Sequence, residues 1–418
     1  MCVRVRALLV VGSVLVAGAI ACNAIVGIED VRLRQSRTRP DADEGTDGPG
    51  SEDDASTPRI DRGTLALGLI HACARLPTGN AVCWGDNGAG QLGDGLPYDA
   101  GNRNEQAVKP QAVSGVSKVV DIASGGTHTC VVEKSGPVLC WGANTFGQLG
   151  NGTTNRSPVA VPVGDLEDAI AIGAGTSFTC AIRRGRSVAC WGNNTFGQLG
   201  DGKKVSLSTP TQVSGLEGAA SLSLGSDHAC AVLVSKEVMC WGRNSTGQLG
   251  NGSTNDSLTP TKLSSLTDIA QVASAARFSC ARQTGGRVLC WGSNEFGQLG
   301  NGTTSLAVNP SPSVVSGISD AVYIWAGTDH VCAVRRAGNV VCWGRGDDGQ
   351  LGNVADAATR PTAVPAITGA RSVSTGGRTT CALLDEGRAY CWGSNSLGQA
   401  GNGNAENPTS PGPVSNFP

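Results

Sequence analysis

Cys140 to Gly150 reads CWGANTFGQLG, and near-copies of this stretch begin at Cys83, Cys190, Cys240, Cys290, Cys342 and Cys391. The motif tryptophans, Trp84, Trp141, Trp191, Trp241, Trp291, Trp343 and Trp392, follow one another at 57, 50, 50, 50, 52 and 49 residues. Self-similarity at a fixed period of about 50 residues marks a repeat architecture. A glycine-rich unit of that length with period-2 strands is one small antiparallel sheet, which buries its faces only against copies of itself. The pattern predicts an all-β fold, a seven-bladed β-propeller over residues 64–418.

Composition agrees with a closed repeat body. Gly is 60 of 418 residues, about twice the usual ~7%, and without a G-X-Y period the excess reads as tight turns and close blade packing. Seven of the eight Trp lie in the motif. The first 63 residues hold 8 of the 32 basic and 10 of the 34 acidic side chains, so the repeat body carries 24 of each. A neutral body argues against a nucleic-acid partner, which needs an excess of Lys and Arg to neutralise phosphates.

The N-terminus reads as an export signal over 1–21. Met1 to Arg6 is a basic n-region, Ala7 to Ala21 an apolar run, and Ala19-Ile20-Ala21 a small-x-small cleavage site before Cys22. Of sixteen Cys, Cys2 leaves with the signal and fourteen form seven pairs, which leaves Cys22 over. A leftover cysteine at the first mature residue resembles the lipidated cysteine of bacterial lipoproteins, although Ala19 and Ile20 replace the commoner residues of that family's lipobox. Cleavage by ordinary signal peptidase, or a membrane anchor continuing to Ile28, are the competing readings. Residues 22–63 place Arg32, Arg34, Arg37 and Arg39 before Asp41, Asp43, Glu44, Asp47, Glu52, Asp53 and Asp54. Such a stretch predicts a disordered tether, spanning roughly 35 Å at ~5 to 6 Å times the square root of length.

Each CWG is preceded by a second cysteine ten residues earlier: Cys73/Cys83, Cys130/Cys140, Cys180/Cys190, Cys230/Cys240, Cys280/Cys290, Cys332/Cys342 and Cys381/Cys391. With Cys130 opposite Cys140 in a hairpin, Lys134, Ser135 and Gly136 form a three-residue loop whose third position favours glycine. Gly79, Gly136, Gly286, Gly338 and Gly387 occupy that position; blade three shifts its glycine to Gly185 and blade four has none. The alternation makes the cysteines a non-hydrogen-bonded pair with Cα atoms about 4.5 Å apart, within reach of a disulfide. Zinc sites usually space their ligands two to four residues apart, so the pairs are read as disulfides of an oxidising compartment and no metal is expected.

A Pro-x-x-Val or near equivalent follows each motif, from Pro110 to Val113 and Pro158 to Val161 onward to Pro411 to Val414. None precedes the first motif, so the C-terminal strand near Val414 is expected to close the ring by completing the sheet of blade one, removing an exposed edge. These residues resemble the RCC1 (regulator of chromosome condensation) repeat: Gly125 to His128, Trp141 to Asn144 and Gly147 to Gly150 match its Gly-x-x-His, Trp-Gly-x-Asn and Gly-Gln-Leu-Gly. The resemblance covers residues 64–418 and implies a seven-bladed propeller. Members include a guanine-nucleotide exchange factor, and the fold also resembles a secreted bacterial inhibitor of β-lactamases. The cysteine pairs depart from the eukaryotic pattern, as does Gly-Gln-Ala-Gly at Gly398 to Gly401.

No catalytic constellation emerges. His71, His128, His228 and His330 share their slot with Phe178, Phe278 and Thr379, which reads as a packed position where imidazole satisfies a local hydrogen bond. Gly197 to Lys204 nearly matches a P-loop but lacks its final Ser or Thr, and Arg345-Gly346-Asp347 is a chance tripeptide inside a motif copy. The longest repeat interval holds an insertion with Tyr98, Asp99, Asn102, Arg103, Asn104 and Glu105, the candidate binding loop. The expectation is a monomeric, cofactor-free, non-enzymatic scaffold for a protein partner, displayed at a bacterial cell surface or periplasm by a lipid on Cys22. An exchange factor and a polysaccharide-binding or cleaving propeller are the alternatives.

Overall fold

The computed structural model describes residues 64–96, 106–353 and 356–418; the signal, Cys22, the tether and the candidate binding loop from Tyr98 to Glu105 lie outside them. The described chain forms seven four-stranded antiparallel sheets, each built from strands consecutive in sequence. Blade one is β1 (Thr64–Leu67), β2 (His71–Arg75), β3 (Ala81–Gly85) and β4 (Ala107–Ala112). The first strand of each blade is innermost. β1 packs on its counterparts Val119–Ser124 in blade two and Ala370–Gly376 in blade seven, which closes the circle.

The cysteine hairpin sets the register of every blade. In blade two Cys130 faces Cys140, Val131 faces Leu139 and Val132 faces Val138, and the Glu133 N–H bonds the Pro137 carbonyl at 2.9 Å. All seven cysteine pairs are bridged within their own hairpins, with Cα separations of 4.0 to 4.1 Å. The third loop residue is left-handed throughout. Glycine supplies that conformation in five blades, whereas Arg186 (φ 64°) and Lys236 (φ 65°) adopt it in blades three and four. Gly185 does not adopt it, so the register imposes the left-handed residue even where a side chain makes it costly.

The described core divides into clusters that lie between blades. The cluster with Cys73, Cys83, Leu92 and Val113 of blade one also holds Val119, Ile122, Val131 and Trp141 of blade two, and the other clusters repeat that plan. All seven motif tryptophans are fully buried. Each reaches back to the preceding blade: Trp191 Nε1 donates to the Gln148 carbonyl at 2.9 Å. The last glycine of Gly-Gln-Leu-Gly makes room for this ring, since a Cβ on Gly150 would come within 2.7 Å of Trp191 Nε1.

Two expectations are corrected. The C-terminal strand Gly412–Pro413 pairs with Ala389–Gly393 of its own blade, placing Tyr390 opposite Pro413. The reason is that each outer strand folds back on the tryptophan strand just before it, and blade one already has β4. The C-terminal segment does close the ring, but by packing: Val414 joins the blade-one cluster, Phe417 meets Trp84 edge to face at 6.2 Å, and Trp84 Nε1 donates to the Gln399 carbonyl at 2.9 Å. In blade two, Val163 rather than Val161 is the buried valine after the outer strand, because Leu139 faces Pro162 where Ala189 of blade three faces Gln212.

Candidate functional site

The histidines form blade-to-blade joints. His128 Nε2 lies 2.9 Å from the Thr179 hydroxyl of blade three, and that hydroxyl donates to the Gln148 carbonyl at 2.9 Å. The same carbonyl receives Trp191 Nε1. Because the hydroxyl proton is committed to Gln148, Nε2 carries the imidazole proton and Nδ1 is left bare, with no partner among the described residues. His71 to Thr129, His228 to Ser279 and His330 to Thr380 repeat the joint at 2.8 Å each. Burial holds all four imidazoles neutral, with pKa pushed down to about 3.

The hydrogen bond is thus not local, and its partner lies 50 to 58 residues downstream. The sequence carries a signal for it that pairing within one repeat misses. Wherever a blade offers His, the next blade offers Thr or Ser one position later; where it offers Phe178, Phe278 or Thr379, the next offers Ala229, Val331 or Ala72. Phe178 packs in one cluster with Ala229, and Phe278 with Val331. The slot is structural in every blade.

The motif loops form one face of the ring. In blade two Asn144 organises the loop, accepting the Leu149 N–H at 2.9 Å and donating to the carbonyls of Thr153 and Asn155 at 3.0 and 2.9 Å. Gly197 to Lys204 is such a loop: Asp201 accepts from Asn194 and from the Lys203 N–H, and no helix follows. On the rim two repeat positions lose their sevenfold sameness. One reads Ile70, Thr127, Ser177, Asp227, Arg277, Asp329, Arg378 in blade order, and the other Asp86, Ala143, Asn193, Arg243, Ser293, Arg345, Ser394.

Blades four to seven therefore carry a charged belt. Arg243 pairs with Asp227 at 3.3 Å and lies over the Phe196 ring at 4.6 Å. Arg345 pairs with Asp347 and with Asp329 at 3.8 Å, and covers Phe296 at 4.6 Å; Arg378 pairs with Asp348 at 2.7 Å. Burial raises the Asp227 and Asp329 carboxyls above their ordinary range, opposed by these arginines. Arg277 is exposed and adds its positive charge to the field on Asp329. Blade two instead presents Phe146, 43% exposed, with Asn193 where blades four and six place arginine. The Arg345-Gly346-Asp347 tripeptide closes on itself, since Arg345 Nε and Asp347 Oδ1 are 2.7 Å apart.

Residues 41–279 match the model of the RCC1-like domain, and 285–334 and 337–383 match the regulator of chromosome condensation (RCC1) repeat. Among curated proteins the chain is similar to probable E3 ubiquitin-protein ligase HERC4 of Rattus norvegicus, 34% identical over 88 residues, 21% of this chain and 8% of that protein. It is also similar to E3 ubiquitin-protein ligase HERC2 of Homo sapiens, 36% identical over 101 residues, 23% of this chain and 2% of that protein. It thus spans a small fraction of these relatives' length. Among solved structures, Prp20p of Saccharomyces cerevisiae superposes with a TM-score of 0.72 at 22% identity, covering 85% of this chain and 88% of that one. Human WBSCR16 gives 0.72 at 23% identity, with 81% and 94% covered.

Proposed function

The chain belongs to the RCC1-like domain family, and from that premise we propose that it is an exported, non-enzymatic protein-binding scaffold whose charged belt docks the partner. The belt is the observation that carries the reading: a repeat body of balanced charge gathers Asp227, Arg243, Arg277, Asp329, Arg345 and Arg378 on the rim of one face. Charge arranged this way favours recognition of a complementary protein surface and speeds encounter. The interior disulfides suit an oxidising compartment, which supports export and weighs against an exchange factor acting on a cytosolic GTPase. The exchange-factor reading otherwise rests on likeness of fold to Prp20p, and fold alone does not carry function.

The test is affinity capture from a cell-envelope extract with the wild type beside Arg277→Glu/Arg378→Glu. The proposal expects a protein captured by the wild type and lost from the variant, with steep salt dependence; equal capture by both overturns the docking surface. Anchoring by lipid on Cys22 is a separate part of the reading. Fractionation with metabolic palmitate labelling expects label on the wild type and none on Cys22→Ser, which is released as soluble exported protein. An unlabelled, soluble wild type overturns the anchor.

A further inference from the structure

The innermost strands begin beside the cysteine-hairpin loops, as the bond from Val119 N–H to the Gly79 carbonyl shows. At that mouth of the axis, opposite the motif loops, the ring loses its symmetry. Equivalent positions on the inner strands read Thr64, Asp121, Ala171, Ser221, Gln271, Tyr323 and Ser372 in blade order. Tyr323 and the one tryptophan outside the motif, Trp325, stack there with centroids 5.0 Å apart and planes 7° from parallel. They line a chamber of about 30 Å³ together with Thr64, Asp121, Ser372 and Ser374. Thr64, Tyr323 and Ser372 are partly exposed at its entrance, Asp121 is buried in that same ring of positions, and Trp325 and Ser374 are buried one layer deeper.

Two features of the chamber call for a ligand. Ser374 is 2% exposed, yet its hydroxyl has no hydrogen-bond partner among the described residues, a costly state unless something else binds there. Asp121 is 5% exposed, with one oxygen accepting the Ile172 N–H at 2.8 Å. A buried acid, a bare hydroxyl and aromatic faces are together the chemistry that recognises an ammonium group. Size selects among cations and sugars. A space of about 30 Å³ admits one or two water-sized groups, so the tip of an alkylammonium enters where a sugar ring or nucleobase does not.

We propose that this axial chamber binds a primary alkylammonium group, its nitrogen against Asp121 and Ser374 and its methylenes along Tyr323 and Trp325. The site is on the opposite mouth from the charged belt and does not depend on it. Binding is coupled to proton release. Burial raises the Asp121 carboxyl to about 8, with the Ile172 and Ile122 N–H groups and Arg75 opposing the rise, so the arriving cation displaces a proton at neutral pH. The groups facing Asp121 are Arg75 from β2 and the Tyr323 phenol across the chamber; the inner strand of blade three presents its main chain. Affinity should therefore rise with pH through about 8 and fall once the amine itself deprotonates near ~10.

The test is isothermal titration of the full chain with cadaverine, with Nα-acetyl-lysine methylamide and with n-pentanol, each in two buffers of different ionisation enthalpy. Arg59 and Arg62 stand five and two residues before Thr64 in the sequence, so Arg59→Ala/Arg62→Ala is titrated in parallel. The expected result is binding of at least one amine in one or both chains, release of up to one proton per ligand, no binding of the alcohol, and at least tenfold weaker binding in Asp121→Asn. Cadaverine binding alone identifies a free polyamine as the source, and binding of the lysine amide identifies a partner's side chain. No amine heat in either chain, or equal affinity in Asp121→Asn with its fold confirmed by melting, overturns the site.

Discussion

The interface between blades two and three and the one between blades three and four solve the same packing problem in two ways. In the first, His128 reaches Thr179 through a buried hydrogen bond, and Asp121 accepts the Ile172 N–H on the innermost strand. In the second, Phe178 packs against Ala229 in one cluster and Ala171 stands where Asp121 stood. The tryptophan joint is common to both: Trp191 donates to the Gln148 carbonyl and Trp241 to the Gln198 carbonyl at 2.9 Å each. Apolar burial and the tryptophan joint therefore hold the ring, while the polar elements are interchangeable with matched apolar ones. What they add is sensitivity to pH.

The largest effect expected from this difference is acid lability. The four imidazoles have folded-state pKa values near 3, below the ordinary 6.5. Between these values the unfolded chain binds more protons, so the stabilising contribution is complete above about 6.5 and is lost as pH falls toward 3. At pH 4 each histidine accounts for at most about 3 kcal/mol, at ~1.4 kcal/mol per pKa unit. Urea midpoints measured from pH 7 to pH 4 should fall steeply, and His128→Phe/Thr179→Ala should flatten the slope by about a quarter of the histidine share. An unchanged slope in that variant would mean that the imidazoles are not the groups that titrate.

The closing interface between blades seven and one is a third case, with Thr379 and Ala72 in the polar slot and the chain end lending side chains. Deleting Asn407 to Pro418 strips blade seven of its outer strand and uncovers Trp84 by removing Val414 and Phe417. Two such side chains are worth about 4 kcal/mol together, and every blade leans on both neighbours, so the whole ring should melt lower in one transition. A wild-type melting temperature in the truncated chain would show that the end is not needed for closure.

A smaller effect compares the two solutions directly. Thr179→Ala alone leaves the buried Nε2 donor of His128 without its acceptor and should cost about 1 to 3 kcal/mol. His128→Phe alone sets a ring against a buried hydroxyl and should also destabilise. The double variant recreates the Phe178 and Ala229 arrangement and should recover most of the loss, a coupling of about 1 to 2 kcal/mol in denaturant unfolding. Strict additivity would show that the two residues are not a unit.

How much of this was legible in the sequence follows the reach of each constraint. Cys130 and Cys140 sit ten apart around a glycine turn, and a hairpin disulfide admits one register, so strand order within the hairpin could be read directly. Val414 was harder. Seven outer strands for seven hairpins fit either assignment, and only the backward fold of each strand onto its own tryptophan strand decides between them. The partner of His128 was missed because it lies in the next repeat, although the alternation of His with Thr or Ser, and of Phe with Ala or Val, was present in the letters. The charged belt and the axial chamber were not readable at all, since they join single residues from several blades whose relation exists only once the ring has closed.

The smallest effect belongs to the innermost strand, where Asp121 and Ala171 mark the same difference between the two interfaces. The Asp121 carboxyl, raised to about 8 by burial against an ordinary 3.8, keeps a proton in the folded state that the unfolded chain has given up. Its contribution is therefore complete below about pH 4 and is lost as pH rises toward 8. Asn in its place keeps an acceptor for the Ile172 N–H, much as Gln271 of blade five accepts the Ile324 N–H at 3.1 Å through its amide. Asp121→Asn should then match the wild type at pH 5 to within about 0.5 kcal/mol. At pH 9 it should be the more stable by about 1 kcal/mol, a ceiling of several discounted for the opposing Arg75 and main-chain N–H groups. Denaturant unfolding at the two pH values checks it, and a variant weaker than wild type at pH 9 would show that the carboxylate is held ionised by its surroundings.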